Sequence, residues 1–597
     1  MSGFAGVFNL DGAPVDRAWL ETMADFLSFR GPDKSQVWIN GNAGLCHTLL
    51  RTRAEHDNRD HIISLNGNVW ITGDIRIDDR ETLFAKLSTV PHEILKAAGS
   101  AELVLHAYAK WGEACVEHLL GDFSFVIWDA ERKRVFGARD HLGVFPFFYA
   151  QVGRCLLISN TLDCIRQIPI VSSELNENAI GDLLIAGRNA NPVATFFTAI
   201  GRLPAAHVLV AGNDLLRTAR YWSLSIDEPL YYKSEGDYVG RFHELLRAAV
   251  RDRLPDGPLG IFMSGGLDSP AVAVTALKLG APLTAFTSVY DRLIPDEERY
   301  FSHLVAQHLE IPVRYNVRDD ESWGWEPDSR PIHTAEPTTD PLGLKAFLQY
   351  SDCLSQYARV FLFGDGPDAA LQYEWRSHLL HLIHEHRWIR LVRDLGLHFK
   401  AFKRVPLLPS LPRIWKQRTS IHPLPNNEFR PPWLNPEFKA RLRLDERWTH
   451  LNRQVFSPHT IRPEAYASFT GDSPICGGGN NGYAGTSTEE LHPLGDLRFV
   501  RFLLAVPAIP WCRDKYLIRK ALKGFLPEAV RLRAKAPVTG SPNFARARRY
   551  HPPKLLPTAV LEPFIELNKL PEWPGENPEQ LDYLLRILGL QYWLLGL

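Results

Sequence analysis

The sequence predicts two domains in series: an α+β layered sandwich over residues 1–215 and an α/β domain with helical additions over residues 237–597. Three observations predict them. The chain has 597 residues, several times the length of an ordinary domain. Its rhythm changes near residue 237, from short strands joined by turns to strands alternating with helices. Its composition, 45% hydrophobic and 23% charged, suits soluble globular domains with ample core. That composition excludes a disordered tail protein, a collagen and a disulfide-stapled mini-protein.

In the first half, residues 3–10 form an apolar strand, and residues 69–77 a strand of β-branched character ending in charged turn residues. Residues 123–129 and 134–138 read as a hairpin around Asp-Ala-Glu-Arg-Lys. Residues 101–119 have helical spacing, with Leu103, Val104, Ala107, Tyr108 and Trp111 on one face. Residues 216–236 are the candidate linker. Beyond it come an amphipathic helix at 236–254, a strand at 259–263, a helix at 270–279 and a strand at 283–290. A helix at 297–309 follows, then strands at 313–317 and 360–363. This alternation implies βαβ units and a parallel sheet. From about residue 376 helical patterns dominate, broken by proline-rich stretches at 405–436 and 551–576. The apolar stretch 581–597 is expected to be a docked helix rather than a membrane anchor.

Lys and Arg total 67 against 68 for Asp and Glu, a formal charge of -1. No broad field for nucleic acid or anionic lipid results. The seven cysteines are scattered, with no CxxC and no Cys/His cluster at zinc spacing, so a reduced cytoplasmic setting is expected. The N-terminus lacks the basic region of a signal peptide, and no apolar run is long enough to span a bilayer.

The sharpest chemical feature is Ser264-Gly265-Gly266-Leu267-Asp268-Ser269, between a predicted strand and a predicted helix. Glycines let the backbone approach an anion, successive N–H groups form a nest, and the helix start adds its dipole. The two serine hydroxyls supplement those donors, and the Asp268 carboxylate can hold a divalent cation against phosphates. No Gly-Lys-Ser/Thr follows, so this is not a Walker loop. The bland alternative is an ordinary glycine-rich turn.

The loop resembles the pyrophosphate loop of enzymes that split ATP into AMP and pyrophosphate. The first half resembles the glutamine amidotransferase domain of asparagine synthetases. The residues that carry this likeness are Arg30-Gly31-Pro32-Asp33, Leu119-Leu120-Gly121-Asp122-Phe123, Ala138-Arg139-Asp140-His141-Leu142-Gly143 and Pro146-Phe147-Phe148-Tyr149. In the second half it continues through Phe363-Gly364-Asp365-Gly366-Pro367-Asp368, Lys515-Tyr516-Leu517-Ile518-Arg519-Lys520 and Arg533-Ala534-Lys535. The resemblance implies an N-terminal nucleophile hydrolase-like sandwich followed by an adenine nucleotide alpha-hydrolase-like (ATP pyrophosphatase) domain.

Two departures shape the functional expectation. Glutamine-dependent members of that family begin Met-Cys-Gly, and the cysteine is both nucleophile and N-terminal base. Here the residue is Ser2, a far poorer nucleophile at neutral pH. The family's Asn-Gly-Glu turn is replaced by Thr72-Gly73-Asp74. The amidotransferase half is therefore expected to make no ammonia from glutamine. Two relatives of asparagine synthetases activate a carboxylate and let an amine of the same substrate attack it. One is the β-lactam synthetase type; the other is the lasso-peptide cyclase type, which joins a peptide's N-terminal amine to an Asp or Glu side chain. Where β-lactam makers carry a tyrosine in the second loop, this chain has Asp365, the candidate catalytic group at that place. Leu50-Arg51-Thr52 and the Thr-Gly-Asp-Ile-Arg turn look more like lasso cyclases.

The resemblance implies ATP and Mg²⁺ as cofactors, a ribosomal precursor (core) peptide as substrate, and a leader peptidase as a possible partner. It assigns Asp268 and Asp368 to the metal, Lys535 to charge on phosphorus and on the tetrahedral intermediate, and Lys515 to phosphate. Phe262, Phe363 and Gly364 stand at strand ends where backbone groups can hold adenosine. Weaker signals remain open between a role and none: an acceptor-site wall at 336–341, a basic aromatic-rich stretch at 387–418, and a glycine-rich lid at 476–482. An ammonia-dependent asparagine synthetase and a β-lactam-synthetase-like enzyme stay as alternatives.

Overall fold

The computed structural model describes residues 2–53, 61–212, 215–226, 229–321, 334–366, 368–404, 431–454, 462–470, 488–534, 540–549 and 558–597. Lys535, residues 405–418 of the basic stretch and the glycine-rich segment 476–482 lie outside these described residues.

The first half contains β1 (Gly3–Asn9), β2 (Lys34–Asn40), β3 (Ala43–Leu49), β4 (Ile63–Ser64), β5 (Val69–Ile77), β6 (Gly121–Asp129), β7 (Arg134–Arg139), β8 (Phe148–Val152), β9 (Cys155–Ser159), β10 (Gly201–Arg202), β11 (His207–Gly212) and β12 (Leu215–Arg220). They form two antiparallel sheets, ordered β10-β8-β9-β1-β3-β2 and β12-β11-β7-β6-β5-β4. Strand periodicity sorts the side chains. Phe4 and Phe8 of β1 meet Val126 and Trp128 of β6 between the sheets. Ala5 and Val7 face outward to helix α1 (Arg17–Leu27), while Phe123 and Phe125 face outward to α2 (Ser100–Trp111). The result is a four-layer sandwich with a helix layer on each side.

Two sequence boundaries shift. Helix α2 stops at Trp111 because Gly112 turns the backbone left-handed (φ 60), and residues 112–117 continue as a 3-10 turn. Strand β12 pairs with β11 over residues 215–220, so the sandwich reaches into the stretch that reads as linker. Its polar and basic residues hide the strand because this strand lies at the sheet edge.

After helix α3 (Glu177–Ala186) in the sandwich, the second half begins with α4 (Glu235–Arg251). Ser234 caps α4: its hydroxyl accepts the Asp237 N–H and the Asp237 carboxylate accepts the Ser234 N–H. A parallel sheet follows, built from β13 (Leu259–Phe262), β14 (Leu283–Val289), β15 (Val313–Val317), β16 (Val360–Leu362) and β17 (Glu489–Leu491) in the order β15-β14-β13-β16-β17. Helices α5 (Asp268–Lys278) and α6 (Glu298–His308) are the crossovers. Helix α7 (Trp388–Phe402), the short α8 (Tyr516–Ala521) and α9 (Pro578–Leu595) are among the additions. The central parallel strands are buried on both faces, hence their near-continuous apolar runs. No helix among the described residues is long and apolar enough to cross a membrane.

The halves meet through charge and through α9. Arg253, fully buried, lies 3.0 Å from Asp496, 3.4 Å from Asp78 and 3.9 Å from Asp122, while Arg76 donates to Asp78 at 2.7 Å and also pairs with Asp122. Helix α9 docks on the sandwich, with the Trp593 ring 5.5 and 5.4 Å from those of Phe196 and Phe197.

Candidate active site

Strand β13 delivers the chain at its carboxyl end into the loop 264–269, where open parallel sheets hold their ligands. Hydroxyls close the loop on itself. Ser264 N–H donates to Ser269 Oγ at 3.0 Å, the two hydroxyls lie 3.2 Å apart, and Gly266 N–H donates to Ser264 Oγ at 3.3 Å. Leu267 is buried in the core and pins the loop. At Gly265 only glycine fits, since a Cβ would lie 2.4 Å from Phe301 Cβ on α6.

The second loop leaves β16 next door. A Cβ on Gly364 would sit 2.4 Å from Ser269 N, so the two loops touch backbone to backbone. That contact brings Asp268 and Asp368 to either side of Lys515, whose ammonium pairs with both carboxylates. Asp514 and Lys515 have left-handed backbones (φ 49 and 56), at a cost of about 1–3 kcal/mol each for non-glycine residues. Their N–H groups donate to the carbonyls of Gln372 and Leu371 at 3.2 and 3.0 Å, which holds the turn. Burial opposes the charge on Lys515, but Asp268 and then Asp368 outweigh it and keep the ammonium's pKa above its ordinary value.

A divalent cation fits this spot. Two carboxylates already gather positive charge there, and Mg²⁺ takes one or two protein carboxylates plus phosphate oxygens and water. Among the described residues no cluster of three or more Asp, Glu, His or Cys makes a closed cage. Asp268 and Asp368 would hold the ion, and a nucleotide would complete its shell.

The rings of Phe262 and Phe363 lie 4.4 Å apart at the strand ends. Phe363 N–H already donates to Leu491 O at 2.9 Å, so that backbone donor serves the sheet rather than an adenine. Asp365 lies within electrostatic reach of Glu490 and His492. Burial, then repulsion from Asp365, pushes Glu490 up to about 7. Burial holds His492 below its ordinary value against the pull of Asp365. Arg519 donates to the Arg533 carbonyl at 2.8 Å and the Asp514 carbonyl at 2.7 Å, tying the approach to Lys535 to the Lys515 turn.

A family model for asparagine synthase matches residues 241–551, and one for a glutamine amidotransferase domain matches residues 1–222. The chain belongs to the asparagine synthase family. It is 26% identical over 578 residues to asparagine synthetase [glutamine-hydrolyzing] 3 of Bacillus subtilis (strain 168), covering 87% of this chain and 84% of that protein. It is 28% identical over 389 residues to asparagine synthetase [glutamine-hydrolyzing] 2 of the same organism, covering 62% of this chain and about half, 51%, of that protein. Among solved structures, the glutamine phosphoribosylpyrophosphate amidotransferase of B. subtilis aligns with 10% identity over 61% of this chain and 90% of that chain, at a TM-score of 0.28. As an asparagine synthase-family protein, the chain is an ATP-dependent carbon–nitrogen ligase.

The amidotransferase half of this asparagine synthase-family chain keeps a cavity of about 350 Å³, lined by Ser2, His47, Arg53, Asp74, Glu102 and Glu489 among others. Ser2 is buried, and its hydroxyl accepts the Leu50 N–H at 3.2 Å. Burial pushes Asp74 up to about 7. Glu489 of β17 lines this cavity, while the next residue, Glu490, projects to the other face of the strand and feels the charge of Asp365.

Sequence reasoning missed β17, Glu298, Glu490 and the anchoring role of Arg519. Glu490 carries no motif, and Glu298 reads as one more polar residue at a helix start. The candidate acceptor wall is held by the sandwich and by α9. Glu336 pairs with Arg202 of the sandwich at 2.6 Å, and a Cβ on Gly589 of α9 would lie 1.7 Å from Thr338 O. The described part of the basic stretch is α7, where Arg393 stacks on Tyr231 at 4.8 Å.

Proposed function

We propose that the protein is a lasso-peptide macrolactam cyclase: it adenylates an Asp or Glu side chain of a ribosomal core peptide, and the peptide's own N-terminal amine closes the ring. The single observation that carries this reading is the pairing of a buried serine where glutamine-dependent relatives place a cysteine with an assembled pair of nucleotide loops. A ligase that takes no ammonia from glutamine needs another amine, and an amine within the substrate is the simplest supply.

In the first step a carboxylate oxygen attacks the α-phosphorus of ATP, the bond to the β-phosphate breaks, and pyrophosphate leaves. The backbone N–H groups and hydroxyls of the loop 264–269 receive that anion. Lys515 adds charge beside it, and Asp268 and Asp368 would hold Mg²⁺. When bound, that ion neutralises charge on the departing phosphates. Lys535 then stabilises charge on the tetrahedral intermediate as the amine attacks the acyl carbon and AMP departs. Asp365 takes the proton that the amine must lose. The attack is intramolecular, and good orientation is worth roughly 7–11 kcal/mol.

The test is mass spectrometry of a candidate peptide with ATP. The expected product is lighter by one water, with AMP formed one-for-one, and no glutamate is released from glutamine above a Ser2→Ala control. Efficient conversion of aspartate and ammonia to asparagine, with no peptide ever dehydrated, would sink the proposal.

A further inference from the structure

Within the nucleotide loop one donor already has an anion. Gly265 N–H donates to Glu298 Oε2 at 2.5 Å, a hydrogen bond to an anionic acceptor. Glu298 opens α6, and its own N–H is held by Asp296 at 2.9 Å. Its second carboxylate oxygen looks toward Arg533 Nη1 at 3.5 Å, a loose contact. Arg533 is anchored apart from Glu298: its guanidinium lies 3.8 Å from the Phe301 ring centroid, and Nη2 lies 3.3 Å from Glu297.

We propose that Glu298 is an internal stand-in for phosphate, which holds the Gly265 donor of the nest and must give it up before a phosphoryl group binds. Glu298 thereby sets the affinity of the site for pyrophosphate and nucleotide. Two anions cannot share one N–H, and like charges at contact distance repel strongly where water is partly excluded. Arg533 offers the displaced carboxylate its second seat, because the 3.5 Å contact becomes a full ion pair once Oε2 leaves Gly265. No covalent bond changes in this exchange. The inference rests on the nucleotide site alone and holds whichever amine attacks.

Isothermal titration of the full-length chain with pyrophosphate, magnesium in excess, tests it, with uncharged adenosine as a second ligand. Glu298→Gln should tighten pyrophosphate about tenfold, since a competing charged hydrogen bond is lost. Glu298→Ala should move it the same way, and adenosine should be unaffected. Glu297→Gln makes the same charge change beside the same arginine without touching the nest, and should alter pyrophosphate affinity less than about twofold. If Glu298 instead merely braces the loop, both Glu298 variants weaken pyrophosphate, and the proposal fails. Equal tightening by Glu297→Gln also overturns it, because a general field would then explain the effect.

Discussion

At position 74 a carboxylate faces a cavity but keeps little water of its own. Burial lifts it to about 7, whereas an aspartate in an unfolded chain titrates near 4. Between those values the folded chain holds a proton that the unfolded chain has released, so raising the pH across that window drains stability. Asp74→Asn abolishes the effect. The substitution should add about 2–3 kcal/mol more to the unfolding free energy at pH 8 than at pH 5. Denaturant titrations at the two pH values would read this, and equal gains would show that Asp74 titrates as a solvated group. Other motif residues have purely architectural work. Asp140 accepts the N–H groups of Leu142, Val144 and Phe145 at 3.0–3.1 Å, and Arg139 donates to the carbonyls of Gly143, Phe145 and Leu203 at 2.6–2.8 Å. A sequence motif marks that such residues matter, but not that they fasten a turn.

Among the elements, the two phosphate-site loops depend on a contact that tolerates no side chain. Gly364→Ala would place a Cβ 2.4 Å from the backbone nitrogen of Ser269 and force the loops apart. A shift of about 1 Å in such a site costs about two orders of magnitude in rate. ATP–pyrophosphate exchange should fall by that much while the far-ultraviolet circular dichroism stays native; retained exchange would mean that the loops can separate harmlessly. The central elements were legible because their signal is strong. Strand β13 is a compact apolar run, and α5 follows directly from a loop rich in glycine and serine. Strand β17 was not, since three residues with two adjacent glutamates present no periodicity to read. Its role comes from pairing in parallel with β16, a long-range contact that propensity does not encode. The same holds for the electrostatic reach of Asp365 to Glu490, residues far apart in sequence. Asp268, Asp368 and Lys515 could be named singly from motifs, but their convergence needed the fold.

For the molecule as a whole, Arg253 lies where the halves join. Arg253→Met would leave Asp78, Asp122 and Asp496 close together with less compensating charge, and breaking a buried pair this way costs about 3–5 kcal/mol. Melting followed by intrinsic fluorescence should show a lower midpoint for both halves together, because carboxylates from both meet at that arginine. A drop confined to the ligase half would show that the sandwich does not depend on the junction. The docking of α9 has a further consequence, one of timing. A ribosome lays down Phe196 and Phe197 long before Trp593, whose ring packs against both of theirs. At about 5–20 residues per second the nascent sandwich waits tens of seconds with that apolar face uncovered. During the interval it is a ready target for chaperones, and a chain broken off in translation never hides it. The surface of the sandwich around Phe196 and Phe197 is thus covered only after the ribosome has passed through the ligase half.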